Sequence, residues 1–181
     1  MPSIISSTAL CGECQKQPPD FDCCYASFAY QEPIRHLIHG LKFNARFANA
    51  RLLATLMAEQ LQAIPNKHEL LIPVPLHPQR YRQRGYNQSI ELTRHLSKQL
   101  HIPFDLNGCQ RIRNNIPQAE LGAKQRRRNL RRAFIAQPFL NVQSVAIIDD
   151  VMTTGSTVRA MATALKHSGI GQIQIWVCAR A

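Results

Sequence analysis

The stretch that most constrains the fold lies near the C-terminus: "VAIIDDVMTTGSTV", Val145 to Val158. Four apolar residues run without alternation into two adjacent carboxylates, Asp149 and Asp150. A short run that is apolar at every position suits a strand buried on both faces, as in a parallel sheet covered by helices. A loop over 149–155 follows, with small hydroxyl residues around one glycine. Then comes a helical pattern over about 156–168, halted by Gly169, and an apolar strand over 172–178. Strand, loop, helix and strand in that order form a β-loop-α-β unit. The fold class is therefore α/β, a parallel sheet flanked by helices.

In open α/β sheets ligands bind at the carboxyl ends of strands, and Asp149 and Asp150 sit at such an end. The next residues lead into a helix N-terminus, which offers unpaired N–H groups and a partial positive charge. Gly155 lets the backbone approach a ligand closely, and Thr153, Thr154, Ser156 and Thr157 add hydroxyl donors. The loop thus suits an anion, and the carboxylates suit hydroxyl donors or a cation. A sugar phosphate meets both needs. The stretch is not a Walker A loop, because no Gly-Lys-Ser/Thr follows the right glycine spacing. An acidic receiver pocket is built from an early strand with several strands after it, whereas about 30 residues remain here. A plain strand-turn-helix with a capping aspartate stays open.

At 181 residues the chain is long enough for one domain with a real core. Residues 1–30 look irregular, broken by "QKQPPD", and are read as an N-terminal segment, with the sheet domain over 31–181. A helix is expected over about 45–63, where Phe47, Ala50, Ala54, Met57 and Leu61 recur before Pro65. "ELLIPV", Glu69 to Val74, reads as a strand. A helix over about 87–100 is capped by Asn87 and puts Leu92, Leu96 and Leu100 on one face. Residues 101–141 show weak periodicity: an extended strand or loop, then a mobile segment. His36 and His39 read as packing or surface histidines. No apolar run approaches a membrane span, and "MPSIISSTAL" lacks the positive flank of a signal peptide, so a cytoplasmic protein is expected.

The chain carries 22 Lys and Arg against 11 Asp and Glu, a net charge of +11. Such a surface suits nucleic acid, nucleotides or phosphorylated sugars, or is a solvated face without a polyanion partner. The densest run is "KQRRRNLRR", whose cations Lys124, Arg126, Arg127, Arg128, Arg131 and Arg132 are candidates for contacting single-stranded DNA. The only aromatics near it are Phe134 and Phe139, so such binding would be electrostatic and non-specific. Of six cysteines, Cys11 and Cys14 in "CGEC" have the spacing that grips one zinc ion. A structural site wants a second pair, and the adjacent Cys23 and Cys24 supply it poorly.

The PRPP-type loop "AIIDDVMTTGST" resembles the phosphoribosyl-pyrophosphate (PRPP) signature of type I phosphoribosyltransferases. With "CGEC", "PPDFD", "LIHGLKF", "IPVPLHPQRYRQRGYNQS", "RIRNNIPQAELGAKQRRRNLRRAF" and "IWVCARA", the chain resembles the competence protein F family (ComF, or GntX-like) over residues 10–180. The resemblance implies a type I phosphoribosyltransferase-like fold with PRPP and Mg2+ as ligands. Asp149 and Asp150 would hold the ribose hydroxyls, directly or through hydrated Mg2+, as the catalytic acids. Thr153, Thr154, Gly155, Ser156 and Thr157 would cradle the 5′-phosphate. His77, Arg80 and Arg84 are candidates for the pyrophosphate side, and the stretch 111–125 occupies a plausible place for a closing loop. The process implied is DNA uptake in natural transformation, with single-stranded DNA and a helicase-type translocase as partners. Longer members of the family carry further cysteine pairs upstream that form zinc modules; this sequence begins after them.

Overall fold

The computed structural model describes residues 12–64, 68–113 and 133–181. Among them the chain forms α1 (Gly12–Lys16), β1 (Cys23–Ala29), α2 (Ile34–Asn44), α3 (Phe47–Leu61), β2 (Leu70–Pro73), α4 (Pro78–Arg84) and α5 (Gln88–Leu100). Next come a hairpin of β3 (Cys109–Arg111) and β4 (Phe134–Ala136), then β5 (Ser144–Met152), α6 (Ser156–His167) and β6 (Gln172–Arg180). Four strands make the central sheet in the order β1-β6-β5-β2, with every pair parallel. Pro103 and Asp105 extend the β2 edge through backbone hydrogen bonds to Leu71.

The unbroken apolar runs at β5 and β6 find cover on both sides. Val145 and Ile147, with Ile173, Ile175 and Val177, pack under Val158, Met161 and Leu165 of α6 and Phe134 of the hairpin. Ala146 and Ile148, with Trp176 and Cys178, face Leu41 of α2, Leu53 and Met57 of α3, and Leu92 and Leu96 of α5. Burying such a leucine or isoleucine contributes about 1.5–3 kcal/mol each, so the two layers hold the sheet rigid beneath its upper edge.

The α/β expectation and the helices at 45–63, 87–100 and 156–168 are met within a few residues by α3, α5 and α6. Besides α4, which the sequence reading did not include, three elements differ from it. Residues 1–30 are not irregular throughout: Cys23–Ala29 is the edge strand, paired to β6 from Cys23↔Gln174 to Ala29↔Arg180. The sheet therefore begins before residue 31. Second, α2 was not anticipated, although Ile34, Leu37, Ile38 and Leu41 recur at helical spacing. Its Gly40 lies against the start of α3: a Cβ there would stand 2.7 Å from Asn49 Nδ2, so that side chain would have to shift. Third, β5 runs on to Met152, so both acids lie within a strand and the loop begins at Thr153. The run Lys124–Arg132 and the larger part of 111–125 lie outside the described residues.

Candidate functional site

β2 ends level with Ile148, through the pair Pro73↔Ile148. The last turns of β5 therefore project past their neighbour, and the two acids stand at the resulting notch. Strand alternation puts Asp149 on the side of Val145 and Ile147 and Asp150 on the side of Ala146 and Ile148. Both are buried, at 8% and 3% exposure, although no aspartate belongs there on grounds of hydropathy.

Each acid has its own partner. The Asp149 carboxylate accepts from Ser89 Oγ at 3.0 Å and from the Asp150 N–H at 2.9 Å. Asp150 Oδ1 accepts the Val151 N–H at 2.9 Å. Among the described residues Asp150 Oδ2 has no hydrogen-bond partner; the Lys42 ammonium forms an ion pair with it at 3.0 Å. Burial, and then the neighbouring Asp150 charge, push the Asp149 carboxyl up to about 7; the hydrogen bonds and Lys42 oppose the shift.

The loop that follows is open to solvent at Thr153 and Thr154, with Gly155, Ser156 and Thr157 half-buried. Gly155 adopts φ +73°, a left-handed conformation, and sits at the N-cap of α6 without any side-chain cap. A Cβ there would touch Met152 Sδ at 3.4 Å, an ordinary contact. Glycine is thus required by its backbone angle rather than by crowding inside the protein. The Ser156 N–H is 3.4 Å from Thr154 Oγ1, a long hydrogen bond, so the first turn of α6 keeps donors for an external acceptor.

The second wall comes from the segment 77–89. His77 caps α4, its Nδ1 accepting the Gln79 N–H at 3.3 Å. Arg80 is exposed. Arg84 donates to Gln88 Oε1 at 2.7 Å and lies over the Phe43 ring, 5.6 Å from its centroid. Asn87 is buried and bonds twice: its Oδ1 accepts the Ser89 N–H at 2.9 Å, and its Nδ2 donates to the Val74 carbonyl at 3.0 Å. That clamp ties the start of α5 to the end of β2 and aims Ser89 at Asp149.

Three groups at the site escaped the sequence reading: Ser89, Lys42 and Arg111. Burial, and next the charge of Arg80, lower the Arg111 pKa, while Asp149 opposes the change. Arg111 therefore lies within electrostatic reach of both. Each lies in a stretch the sequence singled out: Lys42 ends "LIHGLK", Ser89 ends "RGYNQS" and Arg111 opens "RIRNN". Of the zinc candidates, Cys11 lies outside the described residues. Cys14 Sγ accepts from Arg159 Nη2 at 2.9 Å, which ties α1 to α6. Among the described residues no group of three or more His, Cys, Asp or Glu is arranged to hold a metal. No helix among them is long and apolar enough to cross a membrane.

An all-parallel sheet, with an acidic notch and an uncapped helix N-terminus at its carboxyl edge, defines an open α/β protein that takes its ligand at that edge. The relatives narrow this further. The chain is 38% identical over 179 residues to competence protein F of Haemophilus influenzae, covering 94% of this chain and 78% of that one. It is 35% identical over 175 residues to the DNA utilization protein YhgH of Escherichia coli, covering 94% and 77%. Competence protein ComFC of Streptococcus pneumoniae is 23% identical over 155 residues, covering 86% and 67%. The chain belongs to the competence protein F family. No family model matches it. Among solved structures, the glutamine PRPP amidotransferase of B. subtilis aligns with a TM-score of 0.46 at 17% identity, over 71% of this chain and 26% of that one. A purine phosphoribosyltransferase from Pyrococcus horikoshii gives 0.45 at 18%, over 74% and 83%. At these scores the fold description rests on the strand order and the two helical layers themselves.

Proposed function

We propose that the protein binds PRPP or a closely related ribose phosphate, together with Mg2+, at the carboxyl edge of its sheet, and that it serves in the handling of DNA during uptake. The observation that carries this reading is one continuous segment: two buried carboxylates followed directly by an open loop that caps a helix with glycine. Asp149 and Asp150 accept from the ribose hydroxyls. The N–H groups and hydroxyls of residues 153–157 hold the 5′-phosphate. Arg80 and Arg84, with Arg111, supply positive charge on the side where a pyrophosphate would lie, in the forked geometry that suits phosphate oxygens. His77 is the remaining candidate there. The donor set fits Mg2+, which takes hard carboxylate oxygens, commonly one or two of them with substrate phosphates and water. When bound, that ion neutralises charge on a departing pyrophosphate. The names of the relatives, competence protein F and DNA utilization protein, support the biological setting, and the cytoplasm, where a translocase would deliver single strands, is its expected location.

The test is thermal unfolding with PRPP, with and without Mg2+. Ligand at about 100 times its dissociation constant stabilises by about 2.7 kcal/mol, so a rise of several degrees is expected that requires Mg2+ and is lost in Asp149→Asn. No shift at millimolar PRPP would reject the reading. A screen for pyrophosphate release with candidate acceptors would then decide whether turnover follows.

A second reading, an accessory module for single-stranded DNA, is favoured by one specific observation. Phe43 and Phe47 are 61% and 46% exposed, beside Arg84 and against Tyr86, whose ring meets Phe47 edge-on at 5.1 Å. Exposed aromatic faces among cations suit base stacking. The run Lys124–Arg132 would add phosphate contacts. Binding should then weaken with salt by a log–log slope of about −0.7 per contact, and replacing Arg126, Arg127 and Arg128 with Ala should flatten it. An unchanged slope would remove that run from the interface.

A further inference from the structure

We propose that Lys42 is a resident cation of the acidic pair: its ammonium holds Asp150 in place of a metal ion, so that an external divalent cation is left to Asp149. The inference rests on the reading of the pair as a cation and ribose site. Several observations carry it. Asp150 is 3% exposed, and among the described residues its Oδ2 has no hydrogen-bond partner, while Lys42 Nζ forms an ion pair with it at 3.0 Å. A carboxylate this deep would be expensive to leave unpaired.

Lys42 is also held in place. It lies in the last turn of α2, where the negative end of the helix dipole favours a cation. The Leu41 carbonyl on one side of it accepts from the Tyr86 hydroxyl, and the Ala45 N–H on the other donates to the Tyr86 hydroxyl oxygen at 3.3 Å. Tyr86 thus brackets the turn that presents Lys42, and it belongs to the same "RGYNQS" segment that aims Ser89 at Asp149. The two acids are served from two helices fastened to one another.

The lysine side chain is 30% exposed, so the ammonium is not sealed in. An ammonium has three N–H donors, and at 30% exposure the Lys42 side chain stays accessible to an oxygen of a ligand entering the notch. Lys42 is therefore a positioning residue for the acidic pair that also lowers the negative charge seen by a metal ion.

The test uses the full chain with Mn2+ alone, a paramagnetic stand-in for Mg2+, followed by water-proton relaxation. Removing a unit charge a few ångströms from a cation site at intermediate dielectric changes affinity by about ten-fold or more. Lys42→Met is expected to bind Mn2+ at least that much more tightly than the unaltered chain and to regain lost thermal stability when Mg2+ is added. Lys42→Arg keeps the charge and should leave Mn2+ affinity unchanged. Where Lys42→Met fails to fold, Lys42→Gln, which keeps a donor without the charge, takes its place with the same expectation. Equal Mn2+ affinity in the uncharged variant and the unaltered chain overturns the proposal, including where the variant melts earlier, since that marks a structural ion pair. A gain in Mn2+ affinity without PRPP binding by the unaltered chain would reject the ribose phosphate reading and leave the role of Lys42 standing.

Discussion

Asp149 holds its proton into the neutral range because it is enclosed and shares its notch with a second acid, and this ties stability to pH with a definite sign. Its folded pKa is raised from 3.8 to about 7. The folded state therefore binds the proton more tightly than the unfolded chain, and the stability this contributes is full below pH 3.8 and is lost as pH rises to about 7. Asn imitates the protonated acid and does not titrate. Asp149→Asn should melt close to the unaltered chain at pH 4 and progressively above it as pH approaches 8. Melting curves in a pH series check this, and parallel curves would show an ordinary carboxyl. The same substitution should weaken PRPP binding, since stability and binding favour opposite charge states here. At this scale the sequence was informative where chemistry is local. Two acids, a glycine and four hydroxyl residues in one run identified the notch. It was silent where partners arrive from afar: Ser89 is 60 residues from Asp149 in the chain, and nothing in the string "NQS" says which carboxylate it will meet.

At the scale of elements, the site depends on how α5 is anchored. Asn87 gives its side-chain oxygen to the first turn of α5 and its amide to the end of β2. Asn87→Ala removes an N-cap, worth about 1 kcal/mol, and leaves the buried Val74 carbonyl short of a donor, worth about 1–3 kcal/mol more. A loss of about 2–4 kcal/mol is expected in urea unfolding, with ligand affinity falling because Ser89 loses its aim. Asn87→Asp, which keeps only the cap, should recover the smaller part. The helix was legible from Leu92 and Leu96 and even its cap was anticipated, because capping is a sequence-local rule. The bond to Val74 was not, because it depends on where α5 returns over the sheet. α4 and α2 went unread for different reasons. α4 is a seven-residue helix with no buried side chain, so it leaves no apolar period. In α2 the period is present, but a central glycine and two histidines interrupt its look as a helix.

For the whole molecule, the parallel sheet was legible because Val145–Ile148 of β5 and Ile175–Ala179 of β6 are apolar at consecutive positions, which only two-sided cover explains. β1 was not, since "CCYASFA" is short and follows a proline-rich breaker. Its place has a consequence for solubility. β6 has apolar residues on both faces and nine residues in length, and β1 is what covers its outer edge. A chain beginning at residue 31 would leave that edge bare, with a row of free N–H and C=O groups ready to pair with another copy. Such a chain should self-associate on purification, seen as light scattering that grows with concentration, while the intact chain does not. Monodisperse behaviour of the shortened chain would show the edge to be protected in another way. The acidic notch would survive the cut in sequence, yet β6 beside it would lose its outer neighbour, so β1 serves the site by completing the sheet that carries it.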